Sequence, residues 1–372
     1  MRKLLLVVSV MVLLGTLAVP ISAADGYTAP TPECDFPLTV EDATGTEMTL
    51  DAPPERVVTT TPSAAQVMWD IEAEEKVVGL TEWALYLDGA DERTLVMEGQ
   101  ESLDIEQVVD LEPDLVLAPN TTDAEAISQL RDADVTVYHF AEEESIDDIF
   151  ETTETIGQLT GECDGAGETI EWMDDELAIV ADAVEGEERP GAMYLFFDFT
   201  VGANTFINEI IETAGAENLA ASAGIDGYEP VSDEIVVAED PEWIIVNADD
   251  PAMPESDALE GTTAVQEEQF VEVQTEYLNQ PAPGTVNGII TLVEAFHPEA
   301  YADAVAAAEA DDGDEADDIT EADDGNDADD SQDVSIDETD DDDTDALPGF
   351  GPVVALIGIG LGVAGHRVIR RH

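Results

Sequence analysis

The side chains best placed to hold a small molecule follow short apolar runs. Trp83, Tyr86, Phe196, Phe197 and Tyr228 supply rings, and Pro62, Ser63, Asn120 and Asn204 supply small or polar neighbours. None of these is a reactive group, and such a set holds a ligand by stacking and hydrogen bonding. The sequence carries no G-x-S-x-G elbow, no H-E-x-x-H and no phosphate-binding glycine loop, so no catalytic residue is assigned. Acidic pairs are too frequent for a carboxylate dyad to be located by spacing. His139 and His297 lack ligand-like spacing to Cys34 or Cys163, so no metal site is expected, and both read as packed or surface histidines. Asn120-Thr121-Thr122 is also a glycosylation sequon, although a glycan there would crowd the same loop.

These candidates need strands to present them. Continuous β-branched runs at 57–60, 77–80, 115–118 and 135–138 suit strands buried on both faces of a parallel sheet. Helical patterns at 63–71, 104–111 and 123–131 lie between them. Ile146, Ile149, Phe150, Ile156 and Leu159 then mark one helix, and Ile170, Met173, Leu177, Val180 and Val184 mark another over about 166–184. Arg189-Pro190-Gly191 ends it, and strands at 193–197 and 243–246 flank a helix at 206–214. The expectation is an α/β protein: lobe 1 at about 54–145, connecting helices at about 146–186 and lobe 2 at about 190–308, joined through one long helix. The candidate rings and amides fall in loops after strands, the end of an α/β sheet where ligands bind.

Charge sets the habitat. Lys+Arg 10 against Asp+Glu 89 gives a net charge of -79, which repels phosphates and excludes nucleic acid as a partner. Within 25–308 only Arg56, Lys76, Arg93, Arg131 and Arg189 oppose the acids. A compact domain with that self-repulsion suits molar salt, where the screening length falls to about 3 Å, as in a halophilic archaeon.

Both ends read as addresses. Met1-Arg2-Lys3, an apolar run at 4–19 and the small residues Ser22-Ala23-Ala24 form a secretory signal peptide over 1–24. Thiols of an exported chain are usually oxidised, so Cys34 and Cys163 are expected to pair, two unpaired buried thiols being the alternative. Residues 309–346 are mostly Asp, Glu, Ala, Gly and Thr and read as a disordered acidic stalk. The segment 347–372 carries Pro348-Gly349-Phe350, an apolar stretch and Arg367, Arg370 and Arg371. It resembles the archaeal PGF-CTERM sorting signal, which implies processing by an archaeosortase and anchoring at the outer face of the membrane.

The order of segments between Phe36 and Tyr301 resembles the class III solute-binding proteins of ABC importers. The resemblance rests on Pro54-Glu55-Arg56-Val57-Val58, Thr61-Pro62-Ser63, Lys76-Val77-Val78-Gly79-Leu80, Leu111-Glu112-Pro113-Asp114-Leu115, Ile156-Gly157-Gln158-Leu159-Thr160-Gly161, Ala214-Gly215-Ala216-Glu217-Asn218 and Val231-Ser232-Asp233-Glu234. It implies a periplasmic-binding domain at 34–308 with two Rossmann-like lobes, a rigid connecting helix and a ligand between the lobes. It further implies a monomer that takes a small metal chelate, a cobalt corrinoid ahead of a ferric siderophore, with haem as a further member of the class, and needs no resident cofactor. Pro62, Ser63, Trp83, Tyr86, Asn120, Phe197, Asn204 and Tyr228 are then the ligand-contact candidates; Tyr228 stands where a corrinoid-binding relative would place an indole. Glu106 and Glu234 match the carboxylates that dock on the ABC permease, which works with its ATPase. A structural or adhesive surface protein on the same anchor is the alternative.

Overall fold

The computed structural model describes residues 34–99, 102–196, 199–249 and 259–320, the last ten by backbone alone. The signal peptide, Pro348-Gly349-Phe350 and most of the stalk lie outside the described residues, as does Phe197.

An antiparallel hairpin, β1 (Leu38–Glu41) and β2 (Glu47–Leu50), precedes lobe 1. Asp42, buried at its turn, accepts from Thr44 N at 2.9 Å and Thr46 N at 3.1 Å and pairs with Arg131. The lobe then runs β3 (Val57–Thr59), α1 (Pro62–Asp70), β4 (Val77–Thr81), β5 (Thr94–Met97), α2 (Ile105–Asp110), β6 (Leu115–Ala118), α3 (Ala124–Asp132) and β7 (Val137–His139). The strands form a parallel sheet in the order β5-β4-β3-β6-β7. Val57, Val58, Leu115, Val116 and Leu117 are fully buried, as strands covered on both faces require.

Caps at the strand-to-helix turns set the starts of these helices. Thr61 accepts from Ala64 N at 3.5 Å, Asp104 from Gln107 N at 3.0 Å and Asp123 from Glu125 N at 2.7 Å. The Leu111-Glu112-Pro113-Asp114 motif has a comparable physical basis. Arg56 Nε donates to Leu111 O at 2.9 Å, and Asp114 Oδ2 accepts from the Glu55 and Arg56 amides, both at 3.0 Å. The turn before β6 is thereby pinned to the start of β3. β7 begins two residues later than the hydrophobic run, because Val135 N donates to Leu130 O and Asp134 takes φ 63° to close α3.

The connecting helices fall where the pattern places them: α4 (Ile146–Thr160) and the long α5 (Cys163–Val184). Ser145 and Asp148 form a capping box at the start of α4. Ile146 of α4 sits in the lobe 2 core, while Ile156 and Leu159 sit in the lobe 1 core. α5 runs back the other way, with Ala166 in lobe 1 and Val180 and Ala183 in lobe 2. A Cβ on Gly157 would lie 2.4 Å from that of Ala166, so the two backbones meet where a larger residue has no room. With 22 residues, α5 is about 33 Å long and embeds an end in each lobe. The turn between the helices is stapled by the Cys34–Cys163 disulfide, as expected, and by Lys76, whose Nζ donates to Thr160 O at 2.6 Å and pairs with Glu162 at 2.5 Å.

Lobe 2 contains β8 (Gly191–Phe196), β9 (Phe199–Val201), α6 (Phe206–Thr213), β10 (Glu217–Asn218), α7 (Leu219–Ser222), β11 (Tyr228–Pro230), α8 (Asp233–Glu239), β12 (Trp243–Asn247), α9 (Thr263–Glu267), β13 (Phe270–Val273), α10 (Thr275–Leu278) and α11 (Thr285–Phe296). Its sheet has the order β11-β9-β8-β12-β13, with β10 also on β8. β8, β12 and β13 are parallel, and β9 and β11 add an antiparallel flank. α12 (Pro298–Thr320) closes the described chain. Its backbone stays helical past Glu309, where composition places the start of the stalk.

Candidate interlobe binding site

In each lobe the parallel strands deliver their C-terminal ends to one edge. Lobe 1 contributes the loops after β3, β4, β6 and β7. Pro62 opens α1, and Ser63 is buried with its Oγ 3.0 Å from Thr61 Oγ1. Trp83 lies in a single 3-10 turn after β4, is 52% exposed and donates from its indole to Gly99 O at 3.2 Å. Tyr86 follows it with a half-exposed ring, and its hydroxyl meets Gln66 and Gln280. Asn120 follows β6, in a loop joined to the β3 loop by the Thr60 and Thr122 hydroxyls, 2.7 Å apart. His139 ends β7 with Nδ1 2.9 Å from Ala118 O, and His297 packs Nε2 3.1 Å from Gly215 O, so both act as packing histidines.

Lobe 2 contributes an aromatic group. Tyr194 and Phe196 stack at 5.0 Å with 8° between their planes; Phe196 lies 6.0 Å from Phe199 and 6.2 Å from Tyr228. Phe199 and Tyr228 are 41% and 51% exposed, so the group ends in an open apolar face. The β8–β9 hairpin pairs Phe196 directly with Phe199, and β11 brings Tyr228 opposite Val201. Phe199 escaped the sequence reading, since the intervening Asp198 breaks the apolar run. Its signal was the Phe-x-x-Phe spacing of a hairpin turn. Asn204 has φ 59° and donates from Nδ2 to both carboxylate oxygens of Asp226 at 3.2 Å. That side chain orders its own loop.

Burial tunes several groups here. It raises the Tyr228 hydroxyl to about 12, with Glu142 adding to the rise. Glu142 belongs to the crossover between β7 and α4. Its neighbour Glu143 is 8% exposed and accepts from Thr152 Oγ1 at 3.2 Å. Burial raises the Glu143 carboxyl to about 7. Tyr86 and Tyr194 are also pushed up, first by burial. These rings and amides can enclose an apolar, planar ligand with a few polar contacts; they hold no nucleophile and base in mutual reach.

Among the described residues, two concavities lie on helix surfaces. One of 360 Å³ is bounded by Asp70, Glu168 and Trp172, and one of 530 Å³ by Asp147, Phe150 and Glu209. Neither gathers strand ends, and the interlobe edges remain the better site.

The docking candidates stand apart from one another. Glu106 is exposed in the first turn of α2 in lobe 1, and Glu234 is exposed in the first turn of α8 in lobe 2.

The periplasmic binding protein family pattern matches residues 57–277. A cobalamin-binding protein of Halobacterium salinarum is 41% identical over 303 residues, covering 76% of this chain and 82% of the relative. Among solved structures, the apo periplasmic heme-binding protein of Roseiflexus aligns with a TM-score of 0.60 at 24% identity, over 66% of this chain and 99% of that one. The periplasmic vitamin B12 binding protein of Vibrio cholerae aligns at 0.58 with 20% identity, over 66% of this chain and 97% of that one. The two structures share the two-lobed architecture.

Proposed function

The chain belongs to the periplasmic binding protein family, and on that premise we propose that it is the solute-binding component of an ABC importer whose ligand is a corrinoid. The exposed rings of Phe199 and Tyr228, backed by Phe196 and the buried Tyr194, carry the choice of ligand class. A flat, largely apolar macrocycle gains most from such a face, and the likeness to a halobacterial cobalamin-binding protein supports a corrinoid over a ferric siderophore or haem. The metal arrives inside the cargo, so the protein needs only to bind and release it.

The rest of the reading concerns delivery. Glu106 and Glu234 dock one on each permease half, with the ATPase beneath. A signal peptide exports the chain, and Pro348-Gly349-Phe350 directs an archaeosortase to anchor a monomer at the outer membrane face. The acidic stalk then keeps the domain over the permease and raises its effective concentration there.

Calorimetric titration in multimolar salt with cyanocobalamin, a ferric hydroxamate and haemin tests the reading. Saturable binding of cyanocobalamin, tighter than the other two, is expected. A preference for either of the others refutes the corrinoid assignment, and binding of none refutes the small-molecule site.

A further inference from the structure

A polar relay crosses from one lobe to the other through two consecutive residues. On the lobe 2 side, the Tyr194 hydroxyl lies 2.7 Å from the side-chain amides of both Asn247 and Asn279. Asn279 Nδ2 also donates to Asn247 Oδ1 at 3.3 Å. The next residue, Gln280, serves lobe 1. Its Oε1 accepts from the Tyr86 hydroxyl at 2.8 Å, with Gln66 Oε1 3.1 Å from the same hydroxyl. Asn247 and Gln66 are 3% and 4% exposed, so each end of the relay is anchored in its lobe.

The backbone that carries the relay is seated just as firmly. Ala282 is fully buried within the lobe 1 core, although the helices before and after it, α10 and α11, pack in lobe 2. Leu278 and Ile289 sit in the lobe 2 core. Thr285 N donates to Ala282 O at 2.9 Å, and Thr285 Oγ1 to Gln280 O at 3.2 Å, which folds the strap tightly. A Cβ on Gly284 would lie 2.0 Å from Gln66 Nε2, so the strap packs directly on the Gln66 side chain of α1.

We propose that the segment 279–284 is a second tie between the lobes, beside the α4 and α5 pair, and that Tyr86 is a positioning residue which fixes the width of the cleft through Gln280. The reasoning is geometric. Lobes joined by a helix pair alone keep a rocking freedom about it; a strap that plugs lobe 1 and bonds to Tyr86 removes that freedom. Tyr86 emerges from the C-terminal edge of β4 and Tyr194 from β8, whose edge carries the aromatic face. A fixed distance between those edges selects ligands by thickness. This last step rests on the corrinoid reading; the tie itself does not.

The test separates the two. Nitroxide labels on Ser128→Cys in α3 and Glu267→Cys in α9, both exposed positions, report the lobe separation of the full chain without ligand by pulsed dipolar spectroscopy. A narrow distribution is expected for the parent. Tyr86→Phe keeps the ring and removes the hydroxyl, and Gln280→Ala removes the other partner. Each is expected to broaden the distribution about two-fold, and the double variant no further, because both break one link. A parent-like width in both single variants overturns the tie. Gln280→Ala keeps the test intact if Tyr86→Phe does not fold. In stopped-flow displacement, cyanocobalamin should leave Tyr86→Phe roughly five-fold faster. An unchanged rate beside a broadened distribution overturns the selection by thickness, and absence of cyanocobalamin binding to the parent fails the corrinoid reading alone.

Discussion

The rings of Phe196 and Tyr228 meet edge to face, 6.2 Å between centroids and 82° between planes, on strands that are not neighbours in sequence. β9 lies between them in the sheet, so the contact reaches over it and caps the aromatic group at its open end. Tyr228→Leu removes that cap and one ligand-facing ring. Cyanocobalamin affinity is expected to fall about three- to ten-fold, the equivalent of one aromatic contact. Calorimetry checks it, and unchanged affinity would remove Tyr228 from the site.

Glu106 and Glu234 are exposed on separate lobes and lie on helices that carry none of the ligand-contact candidates. Glu106→Gln with Glu234→Gln should therefore leave ligand affinity unaltered and abolish uptake into vesicles carrying the permease and its ATPase. Transport at the parent rate would show that other carboxylates dock.

Stability should decline as the medium turns alkaline, through Glu143. Burial raises this carboxyl to about 7 in the fold, against 4.5 for an ordinary glutamate. Below pH 4.5 folded and unfolded chains are both protonated there and its contribution is full. Between 4.5 and about 7 the unfolded chain releases the proton more readily, and the contribution is lost as pH rises through the folded value. Glu143→Gln keeps an acceptor for Thr152 and cannot ionise. It is expected to stabilise the protein at pH 8 by at most about 3 kcal/mol and to change little at pH 4.5, read by urea unfolding in constant salt.

The disulfide joins residues 129 apart and fastens the N-terminal segment to the start of α5. Closing so long a loop restricts the unfolded chain strongly. Cys34→Ser with Cys163→Ser should lower stability by about 3 to 5 kcal/mol in the same assay. A loss below 1 kcal/mol would mean that Lys76 and its partners Thr160 and Glu162 hold the turn unaided.

Most of the secondary structure was legible because its causes are local. Thr61, Asp104, Ser145 and Thr205 cap helices within three residues of themselves, and the run at 115–118 forms β6 as written. A boundary slipped where a helix end ran on, as when the αL turn at Asp134 closed α3 and delayed β7. The site was legible in part. The ring at Tyr228 stands on an open face, whereas Asn204 is engaged by Asp226 and the Tyr86 hydroxyl by the two glutamines.

By itself, then, the sequence determined two α/β lobes, the strand-end loops that carry the candidate residues, the acidic surface and the pairing expected of two exported thiols. Periodicity and capping act over a few residues, and the composition acts everywhere. Only the tertiary structure decided that α4 and α5 each embed their two ends in different lobes, that Phe199 completes the aromatic face and that Gln280 reaches Tyr86 across 194 residues. Such contacts arise when separate elements pack, and neither partner's local pattern records the other.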